Sequence, residues 1–279
     1  MKRSTTLWII AFCLTVAVAV YQRVTGPTHP IKENITFETV KVKCNFDRNH
    51  SGEGDQLVKV ELSSNDFEGN LYWKRFNTDD EWSVVKMKKG NGTLTAHLPH
   101  QPPAGKLVYK INLIGKYSHI DIPEEPVVTR FKGAVPIFFL APHILFMFVA
   151  MLLAIRSGLE LFNKEAQLKL LTISTVATLF VGGLILGPIA QKYAFGEFWT
   201  GFPFGTDLTD NKTLIAFGGW LIAFWSVFKS WKPKFWVGFA TILMFTIFLI
   251  PHSVWGSELD YGQLDKKTKQ NVQMKESLE

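Results

Sequence analysis

His143, Met147 and Met151 stand at i, i+4 and i+8 within an apolar stretch, so a helix would carry all three on one face. Imidazole with thioether is a ligand set for haem iron or copper(I). His252, eight residues after Met244, offers the same pair at the end of another apolar stretch. Counted from Ala134 at 1.5 Å per residue, His143 lies roughly 13 Å along its helix. His252 lies at a helix end, and depths this different fit poorly with two axial ligands of one haem. An imidazole in hydrocarbon still needs a partner; a carbonyl freed beside Pro142 or Pro251 would supply one. Haem b or copper held by His143, His252, Met147 and Met151 is therefore the alternative reading, not the leading one.

A second gathering is acidic and aromatic. Trp199, Asp207, Asp210, Trp255 and Glu258 flank the ends of apolar stretches, close in sequence to His252, Asp260 and Tyr261. As a mouth they could take a cation or a sugar, which makes an enzyme at the outer membrane-water boundary the second alternative. Such carboxylates more often cap helices, and Asp207 or Thr209 is an expected N-cap, with Asp210 in the first turn. The group lacks a nucleophile or a carboxylate pair of defined separation. His97 and His100 lie close together, but a metal there would need a third ligand. No P-loop, GxSxG, HExxH or dinucleotide fingerprint is present. The leading expectation is a non-enzymatic binding or assembly protein.

The elements that position these residues fall into two halves. Residues 27–133 are polar and hold most of the seven histidines, whereas 134–252 are dominated by long apolar runs. The net charge of +6 would suit nucleic acid if it lay on a folded domain. The polar half is instead nearly neutral and the excess sits beside the apolar runs, which excludes a nucleic-acid partner. Cys13 and Cys44 lie in different segments and make no disulfide framework.

Within 27–133, β-rich runs at 35–43, 57–63, 70–76, 81–87, 93–98, 106–115 and 126–132 alternate with Gly, Pro and Asp turn signals. That spacing predicts an antiparallel β-sandwich of immunoglobulin or fibronectin type, with Trp73 and Trp82 between its sheets. Four apolar stretches follow at 134–155, 170–190, 213–229 and 235–252, each suited to crossing hydrocarbon. They predict a four-helix transmembrane bundle over 134–256, giving an α+β membrane protein whose first partner is the lipid bilayer. Gly183 and Gly187 form a small-xxx-small pair, for packing within the bundle, against a membrane-protein partner or against a second copy.

At the N-terminus, Met1-Lys2-Arg3 precedes an apolar run from Leu7 to Val20. It reads as a signal-anchor over 1–23 or as a cleaved signal peptide ending near Ala17-Val18-Ala19; the retained anchor is preferred. Arg156, Lys164 and Lys169 in one connector and Lys229, Lys232 and Lys234 in another place those connectors inside. The sandwich and the polar tail over 257–279 then lie outside, the tail being expected to be disordered.

Several longer strings carry a resemblance. They are Tyr21-Gln22-Arg23-Val24-Thr25-Gly26-Pro27-Thr28-His29-Pro30, Leu98-Pro99-His100-Gln101-Pro102-Pro103-Ala104-Gly105-Lys106-Leu107 and Pro142-His143-Ile144-Leu145-Phe146-Met147-Phe148. Gln191-Lys192-Tyr193-Ala194-Phe195-Gly196 and Asp207-Leu208-Thr209-Asp210-Asn211-Lys212 add to them. Across residues 20–260 the chain resembles an uncharacterised family of bacterial multi-pass membrane proteins with an N-terminal extracytoplasmic β-sandwich. The resemblance implies a location in the bacterial cytoplasmic (inner) membrane and brings no activity and no functional residues. It also implies that Tyr21 to Pro30 is a retained segment just outside the membrane.

Overall fold

The computed structural model describes residues 3–64, 66–251, 256 and 258–276. The chain divides into two compact units, one formed by Met1–Pro27 with Val135–Ser257, the other by Thr28–Ala134 with Glu258–Glu279.

The second unit holds ten strands: β1 (Ile31–Phe37), β2 (Val40–Phe46), β3 (Asn49–Ser51), β4 (Gln56–Leu62), β5 (Glu68–Arg75), β6 (Ser83–Lys86), β7 (Lys88–Gly90), β8 (Thr93–Leu98), β9 (Lys106–Ile114) and β10 (His119–Lys132). They form two five-stranded sheets, ordered β1-β2-β4-β8-β7 and β3-β10-β9-β5-β6. Every pairing is antiparallel except β3 with β10. The period-two pattern is strict in β4 and β9, where alternate residues are buried. Val42, Phe46, Val60 and Leu98 from one sheet and Leu71, Leu107, Ile111 and Phe131 from the other close a single core.

Three sequence expectations change here. The run 35–43 is a hairpin, not one strand: Phe37 pairs with Val40, and Glu38 and Thr39 turn the chain at φ 45° and 71°. Glu-Thr is a poor turn pair by composition, since neither residue favours positive φ. The compensation is distant: the Glu38 carboxylate accepts hydrogen bonds from the backbone N–H groups of Lys116, Tyr117 and Ser118 at 2.9, 2.8 and 2.6 Å. Trp73 packs against the core as expected, but Trp82 does not and is 37% exposed. It precedes β6, whose four residues are all exposed, so an edge strand carries it away from the inter-sheet space.

The third correction concerns the tail. Instead of being disordered it forms a helix, α7 (Tyr261–Glu276). Its composition is polar, but its first residue is a buried anchor: Tyr261 is 4% exposed. The Tyr261 hydroxyl lies 3.0 Å from the Lys106 backbone N–H, which donates to it, and 3.1 Å from the Gln101 side-chain oxygen. The Arg75 guanidinium sits 5.0 Å from its ring centroid and pairs with Asp265 at 2.9 Å, while Lys106 pairs with Glu258 at 2.7 Å. Burial pushes the Tyr261 phenol up to about 12.

The first unit is helical: α1 (Arg3–Thr25), α2 (Ile137–Glu160), α3 (Leu168–Leu179), a π-helical segment (Phe180–Leu186), α4 (Gly187–Phe195), α5 (Leu208–Lys229) and α6 (Pro233–Leu249). Three helical stretches, Ser4–Thr25, Ile137–Glu160 and Leu168–Phe195, are long and apolar enough to cross a membrane. α6, at 17 residues, is a shorter apolar helix. Small residues bring the helices together. Ala150, Ala154, Ala216, Ala223 and Ala240 are buried around Trp220 and Met244, and Gly158 lets Thr241 of α6 reach the Ala154 carbonyl at 3.1 Å.

The Tyr261 anchor predicts an order of stability. Tyr261→Ala removes a buried ring and should cost about 3–5 kcal/mol. Tyr261→Phe keeps the ring but strands its hydrogen-bond partners, and should cost about 1–2 kcal/mol. Denaturant unfolding of the two-sheet unit, followed by tryptophan fluorescence, should rank wild type above Phe above Ala; equal midpoints would show that the helix is only an appendage.

Candidate functional site

His143, Met147 and Met151 do share one face of α2, and all three line a cavity of about 250 Å³. α1 supplies Thr15, Val18, Ala19 and Gln22 to its wall, and α6 supplies Phe248. The geometry begins with the π-helical segment. Widening the helix to i→i+5 bonding disturbs the regular carbonyl ladder, and here the Gly182 carbonyl accepts a hydrogen bond from His143 Nδ1 at 2.9 Å. The close approach needs glycine: a Cβ on Gly182 would stand 2.9 Å from Phe146 Cβ, 3.0 Å from Met147 Sδ and 3.1 Å from the Met147 backbone nitrogen. The sequence suggested a carbonyl freed beside Pro142; the partner is instead a carbonyl of another helix that also accepts the Gly187 N–H, so His143 is its second donor.

The same contacts weigh on the cofactor alternative. The Met147 sulfur packs on Gly182, and the Met151 side chain is 4% exposed within the helical core. His252 lies outside the described residues. Among the described residues, no group of three His, Cys, Asp or Glu side chains stands where it could hold a metal ion. Gly183 and Gly187 face neighbours of their own chain, with the Thr213 methyl 2.7 Å from a Cβ built on Gly183 and the His143 ring 3.6 Å from one built on Gly187.

Of the acidic, aromatic mouth, Asp207 and Asp210 are brought together, but as structural groups. Asp207 caps α5, accepting from the Thr209 N–H at 2.8 Å. Asp210 is only 6% exposed, and its Oδ2 accepts from the N–H groups of Thr200 and Gly201 at 2.6 and 2.9 Å and from Gln191 Nε2 at 3.0 Å. A carboxylate folded inward onto backbone N–H groups organises the loop 196–207, instead of opening a mouth to solvent. Trp199 donates to the Phe202 carbonyl at 3.0 Å within that loop. Glu258 belongs to the other unit and pairs with Lys106, and Trp255 lies outside the described residues. Lys212, which sequence reasoning passed over, is buried and donates to the Ile250 carbonyl at 2.9 Å.

Another missed group sits at the end of α2. The Arg156 guanidinium bonds Glu160 at 2.5 Å, both side chains being nearly buried, and Asn163 and the Gln167 N–H also donate to that carboxylate. Their i,i+4 spacing was the available signal, but they read only as a basic connector. In the two-sheet unit, His100 meets His50 rather than His97: both rings bond the Gly54 carbonyl, at 3.0 and 3.1 Å, and both stand edge-on to Phe131.

A groove of about 860 Å³ lies on the outward face of β5, β9 and β10. Tyr72, Trp82, Asn70, Lys110, Asn112 and Asp121 line it. Lys110 Nζ and Asn112 Nδ2 donate to the Asp121 carboxylate at 2.5 and 2.7 Å, and those bonds, Lys110's first, hold the carboxyl below the usual range. Lys110 also lies 5.8 Å from the Trp82 ring centroid and 5.9 Å from that of Tyr72. The result is a pre-ordered surface of aromatic rings and fixed polar groups. By contrast, Cys44 is spent on packing; burial pushes its thiol up to about 12 and leaves it inert.

No protein-family model matches the chain, and no curated protein does either.

The π-helical contact makes a prediction. Gly182→Ala should destabilise the helical unit by about 1–3 kcal/mol through overpacking against the Met147 backbone. Gly218→Ala, where a Cβ meets open space inside α5, should raise the melting temperature in detergent slightly, since alanine stabilises a helix interior by about 0.5–1 kcal/mol over glycine. Equal effects of the two substitutions would refute a special approach at Gly182.

Proposed function

We propose that this chain is a multi-pass protein of a bacterial cytoplasmic membrane that presents an immunoglobulin-type sandwich outside the cytoplasm and binds a macromolecular partner there without catalysing a reaction. The single observation that carries the binding reading is the groove beside Trp82. Partly exposed tryptophan and tyrosine rings are enriched at protein interaction surfaces, where they supply much of the binding energy. The catalytic alternatives draw less support, because Asp207, Asp210 and Glu258 are each committed to structural bonds.

The strand order supports the sandwich assignment. β2-β4-β8-β7 corresponds to the A-B-E-D sheet of an immunoglobulin domain and β10-β9-β5-β6 to G-F-C-C′, with Trp73 on the strand that carries the core tryptophan in such domains. Residues 28–134 and 258–276 belong to one compact unit, which supports an even number of crossings between them. Four would satisfy it: α2, the run α3 to α4, α5 and α6; α5 falls outside the three stretches apolar enough to cross, because its first turns carry Asp210 and Lys212, and only its part after Thr213 would lie in hydrocarbon. α6 is about 25 Å long at 1.5 Å per residue, short against a hydrocarbon core of about 30 Å, and a local thinning of the bilayer would accommodate it. The lysines and arginine of the two connectors support the orientation, and the packing of Ala11 and Val18 into the helical core supports α1 as a retained anchor.

Two measurements test this. A membrane-impermeant thiol reagent applied to intact cells should label a cysteine placed at the exposed turn residue Asn91 and spare one placed at Gln167, in a chain whose Cys13 is replaced by serine; the reverse pattern would invert the topology. Crosslinking in membranes should capture a discrete partner, with recovery falling at least tenfold in Trp82→Ala and Tyr72→Ala. A lone chain, or capture indifferent to both substitutions, would sink the binding reading.

A further inference from the structure

The cavity beside His143 has a chemical bias of its own. The Gly182 carbonyl can only accept, so the hydrogen between it and His143 belongs to Nδ1. In the neutral ring Nε2 is then a bare acceptor, and it has no hydrogen-bond partner among the described residues. Gln22, on the same wall, donates its amide N–H to the Phe248 carbonyl, which leaves its Oε1 to accept. Thr15 turns its hydroxyl hydrogen to the Ala11 carbonyl at 2.8 Å. His143 Nε2, Gln22 Oε1 and Thr15 Oγ1 therefore offer lone pairs to the cavity, against a single remaining donor, the second N–H of the Gln22 amide.

We propose that this cavity binds the head of a membrane-soluble hydroquinone, and prefers the reduced hydroquinone to the oxidised quinone. A hydroquinone brings two O–H donors to a wall richer in acceptors than donors, whereas the carbonyls of a quinone would find only the second Gln22 N–H, and an unmet acceptor in an apolar site is costly. At about 250 Å³ the space falls below the roughly 300 Å³ at which drug-sized pockets begin, so it takes a ring and not a whole lipid. Phe148, Phe248 and the two methionines suit a flat aromatic ring. Ile144, at the cavity's edge, is 57% exposed on an apolar helix, which leaves a prenyl tail free to run into the surrounding hydrocarbon. A phospholipid headgroup is disfavoured because no charged side chain lines the cavity. Copper(I) is disfavoured by the Met147 sulfur packed on Gly182.

The test is equilibrium binding to the full chain in lipid nanodiscs, using a decyl-substituted benzohydroquinone and, separately, its oxidised form. The hydroquinone should bind at least tenfold more tightly. His143→Phe keeps an aromatic ring but removes the acceptor, and should abolish the preference. Ile144→Trp fills the cavity from its exposed side without touching the His143–Gly182 bond, and should weaken binding of both forms, so the test survives if the histidine variant misfolds. Equal affinity for the two forms, no binding of either, binding untouched by Ile144→Trp, or stoichiometric copper(I) held by His143 would each overturn the proposal. Failure to capture a partner through the Trp82 groove would leave it standing, since the two sites lie in different units.

Discussion

The buried Tyr261 phenol ties the C-terminal helix to the strand that begins at Lys106. Because of that bond the chain leaves the two-sheet unit at Ala134 and has to come back to it at Glu258. Everything between is constrained by the return. If the apolar helices lie in lipid, they cross an even number of times, and each crossing must satisfy its own backbone because hydrocarbon offers no hydrogen bonds.

The helical unit contains a π-helical irregularity, and that is where its chemistry gathers. The π-helical segment presents the Gly182 carbonyl, glycine removes the side chain that would block approach, and His143 closes the gap. The hydrogen bond has two consequences. It makes a histidine tolerable inside an apolar unit, and it fixes which nitrogen keeps a lone pair. A structural bond and a chemically biased cavity are two sides of the same contact. Elsewhere the unit uses its polar groups to hold its ends: Asp210 gathers the loop 196–207, and Arg156 with Glu160 fastens the turn after α2.

Where sequence reading worked, the signal was local. Alternation gave β4 and β9, the apolar runs gave α2 and the stretch from α3 to α4, and Asp207 announced itself as the cap of α5. Where it failed, the deciding partner was far along the chain. The Glu38-Thr39 turn is made acceptable by backbone donors near residue 117, roughly eighty positions away, so its composition looked like continuous strand. Trp82 resembled a core residue by type, but the edge position of β6 exposes it. The tail looked disordered because its composition is polar and its partners Arg75 and Lys106 lie far along the chain.

The sequence by itself determined the division into a polar β-rich part and an apolar helical part, and the single face shared by His143, Met147 and Met151, because periodicity and hydropathy are properties of neighbours along the chain. Only the tertiary structure decided what those faces meet. It supplied Gly182 as the partner of His143, turned Asp207 and Asp210 inward, and docked Tyr261 on the strand at Lys106, because a hydrogen bond or a buried ring depends on what folding brings within a few ångströms, and sequence distance does not record that.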